Sequence, residues 1–307
     1  MTVVATQGLT MQFGATRALD DLDLDVPSGV TGLVGANGAG KTTLMSIVLG
    51  LRAPTEGSAA VLGLDPRHQG SELRALVGYA PERNVLPDDM PAADFVRHLA
   101  EVRGLPRSEA RSRASDSLWL VGLGEERFRA LGTMSTGQRQ RVKLAQAVAA
   151  DPRLVLLDEP TDGLDPVQRD EMLALIRRIN DEFGVDVLLS SHLLEEVERV
   201  CDHVVALDGG RLVAQGPLGR LVGDGDGIDL ELVTTPGGDD SVDRVHDALL
   251  AAGLAVERDG DHLVVAGPDL DELLDRTRDT VAGADARIRR LARRRRSLED
   301  LFTEVPR

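Results

Sequence analysis

Glycines, a lysine and two threonines stand together at Gly35-Ala36-Asn37-Gly38-Ala39-Gly40-Lys41-Thr42-Thr43. The spacing G-x-x-x-x-G-K-T is that of a loop that wraps phosphates. Glycines let the main chain curl without Cβ clashes, so its amides can converge on an anion. A helix starting at the loop's end aims its positive terminus at the same charge. Lys41 then reaches the β- and γ-phosphates, and the Thr42 hydroxyl binds Mg²⁺. Lys41 and Lys143 are the only lysines of the chain, and one of them falls where such a loop requires a cation.

Two other polar groups close apolar runs. Asp158-Glu159 follows Leu154-Val155-Leu156-Leu157, and Ser190-Ser191-His192 follows Val185 to Leu189. Adjacent residues at a strand end face different ways. One carboxylate can therefore serve Mg²⁺ while the other addresses an attacking water, and His192 can touch the γ-phosphate.

The elements that must position these groups read as an α/β fold. Val30 to Val34 is a short strand before the loop, and Leu44 to Leu49 a helix after it. The runs before Asp158 and Ser190 suit central parallel strands buried on both faces. Ligands bind at the edge where such strands end. Asp21 to Val26 alternates charged and apolar residues, the pattern of a half-buried strand. From about Pro91 to Leu131 the pattern is helical, with helices over Ala92 to Glu101 and Glu109 to Leu120; Trp119, in an apolar run, is expected in the core. Met134-Ser135-Thr136-Gly137-Gln138 opens a helix over Arg139 to Ala150. Val167 to Asn180 is a further helix, and Val204 to Leu207 with Arg211 to Val213 a closing hairpin. Gly223-Asp224-Gly225-Asp226-Gly227 reads as a flexible linker. Beyond it, strands (Ile228 to Val233, His262 to Val265) and helices (Ser241 to Ala252, Asp269 to Val281) suggest a small α+β domain.

Composition narrows the function classes. The length of 307 residues fits one large or two modest domains, and the 42% hydrophobic content is that of a water-soluble protein. The formal net charge of −16 argues against broad binding to a nucleic-acid backbone. Cys201 is the single cysteine, so no intrachain disulfide forms and a reducing compartment is expected. No run approaches the roughly 18 apolar residues of a bilayer span. The N-terminus lacks the pattern of a signal peptide.

Taken together, residues Thr2 to about Leu221 resemble the ATP-binding-cassette ATPases. Gly35 to Thr43 matches the phosphate loop, Met134 to Gln138 the family signature, and Leu154 to Glu159 the second nucleotide motif. Gly163-Leu164-Asp165 matches the loop that crosses between partners, and His192 the switch histidine. The resemblance implies a P-loop NTPase cassette over 1–222, a mostly parallel sheet with an antiparallel β subdomain and a helical subdomain at about 88–147. It implies that Phe13 stacks on adenine, though a core role for that ring stays open. Thr42 and Asp158 would hold Mg²⁺, Glu159 would polarise the attacking water, and His192 would sense the γ-phosphate. Ser135, Thr136, Gly137 and Gln138 would close on the nucleotide of a second ATP-binding subunit, most simply a second copy. Glu82 stands where the family usually has a glutamine that watches the metal, Thr136 replaces a glycine, and Met134 a leucine. Lys41, Asp158, Glu159 and His192 are all present, so a working ATPase is expected.

The ending Ser297-Leu298-Glu299-Asp300-Leu301-Phe302 is similar to that of exporter cassettes of the daunorubicin- and multidrug-resistance type. This implies a subunit that hydrolyses ATP to drive export through a separate transmembrane permease. It would sit in the cytoplasm, at the inner face of the cell membrane. The rival readings are a soluble cassette ATPase acting on ribosomes or DNA, and a nucleotide-gated binding module. The stretch Glu82 to Leu105 is expected to dock the permease, with Arg97 and Glu101 on its exposed face. The domain over 227–307 is expected to support pairing of two cassettes through Leu298, Leu301 and Phe302, or to pack that face internally. The basic run Arg287, Arg289, Arg290 and Arg293 to Arg296 faces anionic lipid or pairs with the chain's own carboxylates.

Overall fold

A computed structural model of the chain describes residues 1–83, 86–233, 241–267, 269–284 and 286–303. The chain divides into two compact units, Met1–Gly219 with Leu301–Arg307, and Arg220–Asp300.

The first unit opens with β1 (Thr2–Phe13) and β2 (Thr16–Pro27), paired antiparallel. In β2 the alternation expected from sequence holds: Leu22, Leu24 and Val26 are buried, while Asp21, Asp23 and Asp25 are exposed. Next come β3 (Val30–Val34), α1 (Lys41–Val48) and β4 (Glu56–Val61), the last pairing with β1 to complete a three-stranded antiparallel sheet. Then follow α2 (Gly70–Leu76), β5 (Val77–Ala80), α3 (Ala92–Val102), α4 (Arg107–Leu120), α5 (Thr136–Val148), β6 (Leu154–Asp158), α6 (Pro166–Phe183), β7 (Asp186–Ser191), α7 (Leu194–Val200), β8 (His203–Asp208), β9 (Arg211–Pro217) and α8 (Leu218–Leu221). The large sheet runs β5-β6-β7-β3-β8-β9, parallel except for the β8–β9 hairpin. All five residues of β3 and of β6 are buried, as both-face burial of central parallel strands requires. The core joins the faces of the two sheets through Leu33, Leu44, Met45, Ile47, Leu156 and Leu188.

Two sequence expectations fail in the helical region. Trp119 is 56% exposed rather than buried. In α4 the buried stripe is Ala110, Ala114, Ser117 and Leu118. Trp119 lies one residue, about 100° of helix rotation, beyond it. Its ring is covered by the Arg127 guanidinium, 5.2 Å away, which also lies 4.5 Å from the Phe128 ring. In α3, Arg97 and Glu101 are not a free surface. They pair with each other at 2.8 Å and are only partly exposed; the exposed positions are Asp94, His98 and Val102. Residues 84 and 85 of the expected docking stretch lie outside the described residues.

The second unit is a four-stranded antiparallel sheet, β11-β12-β10-β13, built from β10 (Gly223–Leu232), β11 (Ala255–Asp259), β12 (His262–Ala266) and β13 (Ile288–Arg296). The helices α9 (Ser241–Ala251) and α10 (Leu270–Gly283) pack on it, and Ile228, Leu230, Val245, Leu249, Leu263 and Val265 form the core. The expected linker at 223–227 is instead the start of β10. Its register places Asp224 opposite Arg295, and it becomes regular only at Ile228. Glycine accommodates the irregularity. The basic run is the strand β13, where Arg290, Arg293 and Arg294 reach Glu231, Asp271 and Asp300 at 3.9, 3.1 and 2.9 Å. The side chains of Arg295 and Arg296 lie outside the described residues. The described residues close with α11 (Leu298–Thr303), where Leu298 is fully buried.

Candidate active site

The ends of β3 and β6 lie at one edge of the large sheet, and the loops that leave them build one cavity of about 300 Å³. The phosphate loop takes its shape from glycines that no other residue can replace cheaply. Gly35 has φ +154, and a Cβ there would lie 2.3 Å from the Leu207 carbonyl oxygen. Gly40, at φ +103, precedes the first turn of α1, where a Cβ would meet the Ala18 carbonyl oxygen at 2.7 Å. The tip Ala36, Asn37 and Gly38 is exposed, while Ala39 is buried against the core. Thr43 lines the cavity behind Thr42. Lys41 is 7% exposed and folds back over the loop, its Nζ donating to the Gly35 carbonyl at 2.6 Å.

Opposite the loop, β6 presents its two carboxylates in different directions. Asp158 accepts from the Thr42 hydroxyl at 3.3 Å through one oxygen and from the Ser190 hydroxyl at 2.7 Å through the other. Glu159 turns away at φ +48, a conformation that costs a non-glycine residue energy. Its amide donates to Ser190 Oγ at 3.0 Å, which holds the turn. Its carboxylate then sits between two partners, Lys41 Nζ at 3.5 Å and His192 Nδ1 at 2.8 Å. Ser190, fully buried on β7, thus fixes both acidic residues. The serine pair before His192 was its sequence signal, but hydroxyl-to-carboxylate pairing across strands is visible only once β6 and β7 are neighbours.

The cavity fits a polyphosphate with its cation. Lys41 and the loop amides supply positive charge, and Thr42, Asp158 and Glu82 supply oxygen ligands on the same lining. Among the described residues no three His, Cys, Asp or Glu side chains could cage a metal by themselves. A cation here must share its coordination with phosphate oxygens, as Mg²⁺ does.

Other predicted residues lie elsewhere. Phe13, at the end of β1, is 40% exposed with the Arg52 guanidinium 5.2 Å over its ring. Ser135, Gly137 and Gln138 line a separate cavity of about 330 Å³. Ser135 caps α5: its hydroxyl accepts from the Gln138 amide at 3.2 Å, and the Gln138 side chain accepts from the Ser135 amide at 3.1 Å. Thr136 adds a methyl where glycine is usual; a Cβ at Gly163 would lie 3.2 Å from it. Asp165 caps α6, accepting from the Gln168 amide at 2.9 Å.

Charge around the site also reaches Lys143 on α5. Burial pulls its ammonium down to about 8, while Asp158, Asp162 and Glu82 pull it back up. The Tyr79 hydroxyl is pushed up to about 12 by burial, then by Asp158 and Glu82.

Residues 19–162 match the family model described as ABC transporter. The daunorubicin/doxorubicin resistance ATP-binding protein DrrA of Streptomyces peucetius is 34% identical over 71% of this chain and 66% of its own length. The methionine import ATP-binding protein MetN of Symbiobacterium thermophilum is 38% identical over 72% and 69%. This chain belongs to the ABC transporter ATP-binding proteins. It spans about two thirds of the length of these relatives. Among solved structures, cbiO1 of Clostridium perfringens, part of the ABC transporter complex cbiONQ, superposes with a TM-score of 0.65 at 27% identity, covering 71% of this chain and 90% of that one. The chain is an ABC ATPase of the P-loop NTPase fold, and ATP is its nucleotide. No helix among the described residues is long and apolar enough to cross a membrane.

Proposed function

We propose that this ABC ATPase energises export through a separate transmembrane permease, working as a pair of cassettes. The observation that carries the catalytic part is the Glu159 carboxylate, 8% exposed and held between Lys41 and His192. The loop amides and Lys41 bind the phosphates. Glu159 takes the proton of the attacking water, and His192 and Ser190 hold it in line. Thr42 and Asp158, with Glu82 on the same lining, would hold Mg²⁺, which would supply positive charge against the phosphates. Phe13, with one ring face on Arg52, offers its other to adenine.

Ser135, Thr136, Gly137 and Gln138 lie outside the phosphate cavity of their own chain, which supports their acting, with the Asp165 loop, on the nucleotide of a second subunit. Likeness to the resistance protein DrrA and the Leu298-Glu299-Asp300 ending favours export, although a methionine importer is equally similar. A groove of about 790 Å³ lined by Arg97, Arg107, Arg111 and Arg127, beside exposed Phe128, supports permease docking on the helical region 88–147. The chain then sits at the inner face of the membrane without touching nucleic acid. The unit beyond 227 assists pairing through a surface other than Leu298, which is buried. Expression with the neighbouring membrane protein, followed by ATPase assay in the purified complex, tests the reading. An ATPase that co-purifies with no multi-spanning partner leaves the soluble-machine alternative.

A further inference from the structure

Lys143 is 3% exposed, and burying an ammonium is costly unless it is paired. Its Nζ donates to the Glu82 carbonyl at 3.0 Å. It belongs to a stripe of donors on one face of α5. Gln140 donates to the Asp162 carbonyl at 3.0 Å, and Gln146 to the Tyr79 carbonyl at 2.5 Å. Positions 140, 143 and 146 are three apart and share a face. The helix that begins at Ser135 is thereby fastened to the end of β5, to the loop after it and to the loop after β6.

Neutral amides make the outer two bonds, whereas the middle one uses a cation. Glu82 gives a reason. Glu82 lines the phosphate cavity with Asp158 and Glu159. Three negative groups facing a polyphosphate oppose its binding, and a low-dielectric interior magnifies the repulsion. Lys41 answers part of that charge from within the cavity, and the Lys143 ammonium adds a second positive group, held at the Glu82 main chain.

We propose that Lys143 is a positioning residue that offsets the Glu82 carboxylate, fixing the loop through its carbonyl and balancing the charge that Glu82 brings to the nucleotide cavity. The inference rests on the hydrolytic reading of that cavity.

A charge-removal cycle in the full chain tests it. Lys143→Met keeps the volume but loses the cation and the donor; Glu82→Gln removes the charge to be offset. Lys143→Met is expected to raise the KM for MgATP about tenfold, the scale of coupling between neighbouring groups. Lys143→Arg should stay near wild type. The pair Lys143→Met with Glu82→Gln should return to within about threefold of Glu82→Gln alone. Losses that simply multiply, or an unchanged KM in Lys143→Met, overturn the proposal. Should Lys143→Met fail to fold, Lys143→Gln takes its place in the same cycle with the same two outcomes. Affinity for a fluorescent ATP analogue is read in parallel. That readout keeps the proposal testable even if the chain hydrolyses nothing, a result that would sink the hydrolytic reading instead.

Discussion

His192 Nδ1 lies 2.8 Å from Glu159 Oε2, so the histidine that closes β7 directly orients the acid that follows β6. Register explains the meeting. Asp158 pairs with Ser190 across the β6–β7 ladder, so the residue after one and the second residue after the other emerge at the same edge. The contact joins a buried acid to a side chain that is 44% exposed. One end can follow events at the surface while the other stays aimed into the cavity.

Replacing Glu159 with glutamine keeps size and hydrogen bonding but removes the proton acceptor. General-base loss is worth about 10²- to 10⁴-fold. We expect kcat to fall by at least about 100-fold, with ATP affinity within about twofold of wild type and an ATP-bound dimer accumulating. His192→Ala leaves the acid in place without its orienting partner and should cost less. Wild-type turnover by Glu159→Gln in the assembled complex would remove Glu159 from the role.

Ser135 separates stability from catalysis. As the cap of α5 it contributes about 1 kcal/mol, so Ser135→Ala should lower the midpoint of thermal unfolding. Ser135→Asp also caps and should restore the midpoint. If the hydroxyl also closes on the nucleotide of the second subunit, the aspartate, negatively charged there, will not restore hydrolysis. Recovery of both properties together would confine Ser135 to capping.

The contacts that hold the acidic residues in place are hidden in the sequence. The phosphate loop, the carboxylate pair and His192 could be placed because their chemistry fixes residue type and spacing locally. Glu159 at φ +48, held by Ser190, depends on two strands 31 residues apart in the chain. Trp119 escapes the core that its apolar run suggests, because helical burial turns on about 100° per residue, finer than such a run reveals. The linker reading at 223–227 failed for a similar reason. Glycine and aspartate favour turns locally, but the strand that pairs with them, β13, lies about 70 residues downstream.

His203 gives the fold a pH dependence of known sign. Its Nδ1 is buried without a hydrogen-bond partner, and burial lowers its pKa, outweighing the opposing pull of Asp25. The folded protein keeps the ring neutral where the unfolded chain, with a pKa near 6.5, takes up a proton. The stabilisation is therefore complete above about pH 6.5 and is lost as pH falls through the folded value. Denaturant unfolding of His203→Gln should show a flatter stability curve than wild type as pH falls below about 6.5. Parallel curves for the two proteins would exclude this histidine as a source of the acid response.

The exposed aromatics of the helical region give the docking proposal a sharp test. Trp119 and Phe128 are 56% and 60% exposed, and Arg127 lies over both rings. Aromatic and arginine side chains dominate interface energies: the rings bury much area with few freely rotating bonds, and the guanidinium stacks on them while donating hydrogen bonds. The chain has only seven aromatic residues, so placing two of them in water beside one arginine needs a use. Neither belongs to the nucleotide cavity. Phe128→Ser and Trp119→Ser should each weaken co-purification with the permease, by about 2 kcal/mol or roughly 30-fold in affinity at a central contact. Arg127→Ala should do the same, because it removes the cation that holds both rings. ATP affinity of the isolated chain should not change, since the cavity is built on β3 and β6. His98→Asp and Val102→Asp, on the exposed positions of α3, extend the map along that helix. If all five variants bring down the permease as wild type does, the partner docks on another face, and the arginine-lined groove is not its seat.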